Sequence, residues 1–132
     1  MAELSEIAQL ANRLRSALAV AERSTGKLRL QSTKDGLEAI EQIKKTSRAI
    51  KDKEGRANME KFERRLHELL PIAVRETIVQ LIDVVRSPKV KPEIRPKAID
   101  AIRMLLKEHK LSPSNFGITE GNLITWQTTS SA

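Results

Sequence analysis

Apolar residues recur near the start of the chain at alternating spacings of three and four. The set comprises Leu4, Ile7, Ala11, Leu14, Leu18 and Ala21. Such a heptad seam predicts an α-helix from about Leu4 to Arg23. Because the stripe is narrow, it suits packing against a single further helix, in the same chain or in another subunit. We therefore expect a homo-oligomer in which this seam contributes to the interface or to the hairpin that builds it.

The second helix is expected after a connector at residues 24–34. Gly26 lies just past the first helix, where glycine readily adopts a left-handed C-cap. Ser32 or Thr33 is the predicted N-cap, because a hydroxyl can accept a hydrogen bond from a first-turn amide. Apolar residues then continue at helical spacing until near Lys53.

Prolines punctuate the middle of the chain. A third helix is predicted to begin near Arg56, and Pro71 either kinks this helix or opens the next one at its first turn. The pair at residues 87–88 ends the helical pattern. A further apolar face that extends to Leu106 predicts another helix, which starts near Pro92.

The last 22 residues are rich in turn-forming Ser, Pro, Asn and Gly. Residues 122–127 are the only strand candidate, and residues 128–132 are expected to be disordered. The whole pattern predicts an all-α helical bundle of about five helices, with a coiled-coil-like first helix and a short irregular or single-strand C-terminal tail. The predicted domains are a helical domain at 1–110, divided into a hairpin at 1–53 and a core at 56–110, and a tail at 111–132.

Composition narrows the class of protein. The chain has no Cys, so disulfide bonds and thiolate metal sites are excluded. Its longest apolar runs are far shorter than the roughly 20 residues that cross a bilayer. The early residues are acidic and do not resemble a secretory signal. We therefore expect a cytoplasmic protein with no membrane partner.

No motif for catalysis is present. The glycines are isolated and form no phosphate-binding loop. His67 and His109 fall in different predicted helices, without a metal-binding spacing. The simplest interpretation makes His67 a surface residue and His109 a helix-end cation or cap. We expect a protein that is not an enzyme and that uses neither a cofactor nor a metal.

Positive charge is concentrated in two zones. Residues 27–65 hold twelve Lys and Arg against seven Asp and Glu, and residues 86–110 hold eight against three, a net charge of +5 in each zone. Clustered cations attract phosphates through counterion release. The alternative is an ordinary solvated surface paired with nearby carboxylates. The predicted nucleic-acid-binding residues are Lys44, Lys45, Arg48, Lys51, Arg64, Arg65, Arg86, Lys89, Lys91, Arg95 and Lys97.

Aromatic side chains are nearly absent from both zones. Base stacking is therefore not expected to carry the binding, and contacts with the phosphates of nucleic acid, chiefly duplex DNA, are expected. Trp126 stands alone in a polar segment. It either folds back onto the core or anchors a larger protein partner through the C-terminal tail.

Residues 74–113 resemble a helical hairpin of phage-encoded DNA-packaging proteins. The shared positions are Leu81, Ile82, Pro88, Arg95, Ala98, Ala101, Leu105 and Leu106. The resemblance implies the small subunit of a phage terminase, which assembles into rings, binds viral DNA in the host cytoplasm and regulates a separate large subunit. Many members of that family begin with a helix-turn-helix domain. This chain begins with a heptad seam, so a coiled-coil hairpin form of the family fits better.

Two other classes fit the same features. A helical adaptor would use the basic surfaces to meet an acidic protein. A small subunit of a larger complex, such as an RNA-guided nucleoprotein, would also be basic and poor in motifs. Binding to DNA at low salt separates the adaptor from the other two classes.

Overall fold

The structure is a computed structural model that describes the backbone of residues 2–46 and 53–128 and the side chains of residues 6–45 and 57–127. Within these stretches the chain is all-α and contains no β-strand, which confirms the predicted fold class. The helices are α1 (Ala2–Arg23), α2 (Gly26–Thr46), α3 (Lys53–Arg86), α4 (Ile94–Glu108), a short 3-10 helix (Pro113–Phe116) and α5 (Glu120–Thr128).

The chain forms two compact units. Unit 1 comprises Met1–Arg75 and unit 2 comprises Glu76–Ala132, so the boundary falls within α3. Each unit has its own set of buried apolar side chains.

In unit 1, α1 and α2 form an antiparallel hairpin with a very short connection. The Ser24 amide donates to the carbonyl of Val20, which closes the last turn of α1. Gly26 then adopts φ 62°, a left-handed conformation that lets the chain reverse within a few residues. The expected left-handed glycine at the end of the first helix is confirmed.

The predicted connector at residues 24–34 is wrong, because α2 already begins at Gly26. Thr33 is not an N-cap. It is fully buried, and its Oγ1 donates to the carbonyl of Arg29, one turn earlier in the same helix. Ser32 likewise lies inside α2. The sequence pattern of residues 24–34 favours a loop because Leu28 and Leu30 are the only large apolar residues in this stretch.

The core of unit 1 lies between the α1–α2 hairpin and the first half of α3. Its buried members are Leu10, Leu14, Ala39, Ile40, Ile43 and Leu66, with Leu18, Leu37, Met59 and Phe62 packed against them. Gly36 of α2 lies close to both α3 and α1. A Cβ placed on Gly36 would lie 2.9 Å from Cδ1 of Leu66 and 3.5 Å from Cβ of Ala17. The absence of a side chain at residue 36 therefore makes room for Leu66.

The third helix is longer than the sequence pattern indicated. It runs without interruption through Pro71, so this proline does not open a new helix. Pro71 is exposed, and it lacks the amide that would otherwise donate to the carbonyl of His67. The apolar stretch on both sides of it keeps the segment helical, since Leu69, Ala73 and Val74 are all buried.

In unit 2, buried apolar residues come from the end of α3, from α4 and from the C-terminal segment. They are Ile78, Ile82, Val85, Ala98, Ile99, Ile102, Leu105, Leu106, Ile118 and Leu123. Helix α4 begins at Ile94, close to the predicted start near Pro92, and Pro96 lies in its first turn. The helix ends in a Schellman motif: the Leu111 amide donates to the carbonyl of Leu106 over 2.8 Å. Lys110 occupies the left-handed position of this motif with φ 54°.

The predicted C-terminal strand is wrong, because residues 122–127 belong to α5. Reciprocal side-chain caps explain the helical structure. The Asn122 amide donates to Oγ1 of Thr119 over 3.0 Å, and the Thr119 amide donates to Oδ1 of Asn122 over 2.9 Å. Ser112 and Asn115 form a similar pair at the 3-10 helix. Both are capping boxes in which Asn takes the place of the usual Glu or Gln.

Candidate nucleic-acid interface

A loop in unit 2 carries most of the exposed cations of the second basic zone. We call Arg86, Lys89, Lys91, Arg95 and Lys97 the basic loop; they lie at the end of α3, in the connection and in the first turn of α4. All except the half-buried Arg95 are exposed. The loop has local order, since the Lys89 amide donates to Oγ of Ser87 and the Ile94 amide donates to the carbonyl of Lys91 over 3.0 Å.

Arg95 has a structural role in the basic loop, because its side chain donates hydrogen bonds to the backbone at the end of α3. Its Nε donates to the carbonyl of Val85 over 3.2 Å, and its Nη2 donates to the carbonyl of Ser87 over 3.4 Å. The last carbonyls of a helix lack partners within that helix, and a cation beside them is favourable. Arg95 therefore caps α3 and holds the first turn of α4 against the end of α3.

Trp126 lies beside the basic loop, although 29 residues separate it from Lys97 in the sequence. It is half-buried, and it lines a pocket of about 250 Å³ together with Val85, Arg86 and Arg95. Trp126 is thus neither fully buried in the core nor fully exposed, and its role as an anchor for a partner stays a prediction. The pocket combines an indole ring with two guanidinium groups, a pairing that the sequence analysis did not anticipate.

Helix α5 is what brings Trp126 to this place. Leu123 is fully buried, and Trp126 follows it by three residues, so the two side chains share one side of the helix. An ion pair between Arg103 of α4 and Glu120 ties the start of α5 to α4. The signal that could have revealed this arrangement is the pair of capping sequences, which predict a helix and hence the shared side of Leu123 and Trp126.

The first basic zone differs, because two of its predicted residues form ion pairs within unit 1. Nζ of Lys44 lies 2.8 Å from Oε2 of Glu63. Nε of Arg65 lies 3.1 Å from Oε1 of Glu22, and this hydrogen bond raises the pKa of Arg65. Such exposed pairs contribute little to stability, yet they offset the positive charge of the zone.

Of the other predicted residues of this zone, the structure describes two. Lys45 and Arg64 are exposed on α2 and α3 respectively. Arg48 and Lys51 lie outside the described residues. The predicted cationic stripe of Lys44, Arg48 and Lys51 therefore stays a prediction.

The heptad seam of α1 is largely engaged within unit 1. Leu14 and Ala21 are buried, and Leu18 packs partly buried against the core. Ile7 and Ala11 are half-buried and line an apolar pocket of about 300 Å³ with Met59 and Phe62. The side chain of Leu4 lies outside the described residues. The role of these residues in an oligomer interface stays a prediction.

A second groove in unit 1 is lined partly by charged side chains. Arg13 donates through Nε to Oδ1 of Asp35 over 3.1 Å and also pairs with Glu38, and the hydrogen bond to Asp35 raises the pKa of Arg13. Val20 and Leu28 line the same groove and are 40% and 56% exposed. This surface is more apolar and less cationic than the basic loop.

The histidines lie where the sequence placed them. His67 is exposed on α3, and His109 is the C-cap residue of α4, with its amide donating to the carbonyl of Leu105. Nε2 of His109 is buried and makes no hydrogen bond within the described residues. In the same part of the chain, no three His, Asp or Glu side chains are grouped as a metal site would require. Nor does any helix of residues 2–46 and 53–128 have the length and apolar character needed to span a bilayer.

Comparisons with protein-family models, with curated proteins and with solved structures give no match to this chain.

Proposed function

We propose that this chain is a non-enzymatic helical protein that binds nucleic acid through its phosphates, and that the basic loop is the contact surface. The observation that carries the proposal is the exposure of Arg86, Lys89, Lys91 and Lys97 on a single connection between two helices. Phosphate contacts from Lys and Arg dominate nucleic-acid affinity, because each contact releases condensed counterions.

The geometry of Arg95 supports the same proposal. The carbonyls of Val85 and Ser87 hold its guanidinium, so the connection is already ordered before a ligand binds. Binding then does not carry the entropic cost of ordering the connection. The exposed Lys side chains can then reach along a strand of phosphates. In the first basic zone, Lys44 and Arg65 already face carboxylates, so the basic loop is the stronger candidate.

The narrower form of the proposal follows from the resemblance to small terminase subunits. In that form the chain self-assembles and binds viral DNA for packaging, and the seam of α1 contributes to the subunit contact. The half-buried Ile7 and Ala11 beside an apolar pocket are compatible with such a contact. Molar mass from light scattering, with and without DNA, tests this form; a monomer at high micromolar concentration would refute self-assembly.

The test of the basic loop uses two variants with the same net charge. One replaces Lys89 and Lys91 with Gln, and the control replaces Lys107 and Lys110 with Gln. Lys107 lies twelve residues beyond Arg95, roughly 18 Å along α4. Affinity for a labelled duplex is measured by fluorescence anisotropy at several salt concentrations.

We expect the loop variant to bind more weakly and to lower the slope of log affinity against log salt by about 1.8, which is about 0.9 for each lost contact. The control variant should keep the slope of the wild type. The proposal fails if the wild type binds neither duplex nor single-stranded DNA at about 50 mM salt, where phosphate contacts are strong. Loss of binding to the same extent in both variants would assign the affinity to net charge alone and not to the loop.

A further inference from the structure

We propose that the pocket between Arg86, Arg95 and Trp126 takes one unpaired nucleobase, which stacks on the indole ring while its phosphate meets the guanidinium of Arg86. The chain would therefore prefer single-stranded nucleic acid to a duplex. This inference rests on the proposed function and deepens it, because it names the form of nucleic acid that the site selects.

The first step is the placement of the indole ring. Trp126 lines the pocket together with the buried Val85, and the indole itself is only half-buried, so part of it is accessible to a ligand. Aromatic rings placed in this way in a positively charged groove are the usual platform for bases in proteins that bind single strands. The sequence did not predict stacking, because aromatic residues are nearly absent from the two basic zones. The fold supplies the aromatic residue from α5.

The second step concerns charge around the pocket. Arg86 is exposed and lines the pocket, and Lys89 and Lys91 are exposed in the connection that follows it in the sequence. Arg95 forms another wall, and its orientation is set by the carbonyls of Val85 and Ser87. A single carboxylate would be neutralised by one of these cations. Several exposed cations close together in the sequence, beside a pocket that an aromatic ring lines, match a chain of phosphates that carries a base.

The third step concerns size and access. The pocket measures about 250 Å³, below the roughly 300 Å³ at which sites for drug-sized ligands begin. It therefore suits one base-sized group. In a duplex the faces of the bases are already stacked on their neighbours, and extruding a base costs a few kcal/mol. A single strand presents its bases without that cost.

The experiment uses the protein's own fluorescence. The chain contains one Trp and no Tyr, so tryptophan emission reports on Trp126 alone. The full chain is titrated with oligothymidylate of roughly 12 nucleotides, within the usual range of site sizes. Parallel titrations use a duplex of the same length, inorganic polyphosphate, and poly-glutamate as an acidic peptide. We expect strong quenching with oligothymidylate and little change with the other three ligands.

Variants give the affinity side of the test, which is read by anisotropy of the labelled strand. Trp126→Leu should weaken binding of the single strand by roughly 5- to 150-fold, the range found for loss of one stacked base. It should change duplex affinity by less than twofold, since duplex binding uses phosphates alone. Trp126→Phe keeps a smaller aromatic ring and should retain an intermediate affinity; it also serves if the Leu variant does not fold.

The outcomes distinguish failure of the proposed function from failure of the base pocket alone. If no nucleic acid binds, the proposed function itself fails. If both nucleic acids bind but oligothymidylate leaves the emission unchanged, or if Trp126→Phe and Trp126→Leu bind the single strand like the wild type, only the base pocket is refuted. Equal quenching by polyphosphate or poly-glutamate would assign the pocket to anions without bases and would also overturn the inference.

Discussion

Lys110 provides a test of the local structure that leads from α4 to the C-terminal segment. It adopts φ 54° at the left-handed position of the Schellman motif that ends α4. For an L-amino acid this conformation costs roughly 1–2 kcal/mol, whereas glycine adopts it without steric conflict. Replacing Lys110 with glycine should therefore stabilise unit 2, and the comparison of Lys110→Gly with Lys110→Ala isolates the effect.

The two variants remove the same positive charge from the C-terminal end of α4, so the charge cancels in the comparison. Glycine avoids about 1–2 kcal/mol of strain and loses about 0.5–1 kcal/mol of extra backbone entropy on folding. We expect the glycine variant to be more stable than the alanine variant by about 1 kcal/mol. In an ordinary helical position the order would be reversed, with glycine less stable than alanine by about 1 kcal/mol. The sign of the difference is therefore the result that matters.

Urea unfolding measures this difference. Emission from Trp126 follows unit 2, because Trp126 is the only tryptophan and lies in that unit, and far-ultraviolet circular dichroism follows the helices as a whole. A difference of 1 kcal/mol moves the midpoint by roughly 0.3–1 M urea for slopes of about 1–3 kcal/mol per molar. If the alanine variant is as stable as the glycine variant, residue 110 is not left-handed and the Schellman motif is wrong.

Two further substitutions test unit 1 and α3, both by chemical unfolding. Gly36→Ala should destabilise the protein by roughly 1 kcal/mol, because overpacking against Leu66 outweighs the better helix propensity of alanine. In a Leu66→Ala background the same change should become stabilising, and an unchanged sign would contradict the close contact. Pro71→Ala should stabilise by roughly 2–3 kcal/mol and Pro71→Gly by about 1 kcal/mol less, since both restore a helical amide. A neutral Pro71→Ala would show that α3 is not a continuous helix at this residue.

The order of stability within these sets serves as its own control. At residue 71 the alanine variant should be more stable than the glycine variant, whereas at residue 110 the glycine variant should be the more stable one. The contrast arises because residue 71 has ordinary helical geometry and residue 110 does not. The same pair of substitutions thus distinguishes a right-handed helical backbone at residue 71 from a left-handed one at residue 110.

The sequence by itself determined the elements that depend on local periodicity. The heptad seam predicted a helix from about Leu4 to Arg23, and α1 ends at Arg23. The left-handed Gly26 and the end of the helical pattern at residues 87–88 were also predicted correctly, because glycine and proline act directly on their own backbone. The exposed cations of the basic loop were identified in the same way, since a cluster between two proline-marked helix ends has little apolar surface to bury.

Only the tertiary structure decided where distant side chains meet. Within α2 and α5 the structure buries Thr33 and Leu123 completely, and local periodicity did not predict the burial of either side chain. The pairing of Lys44 with Glu63 joins two helices whose relative rotation no local pattern specifies. The shared pocket of Trp126 and Arg86 was not predicted for the same reason. Periodicity indicates which side of a helix is buried, but it does not indicate which part of the chain covers that side.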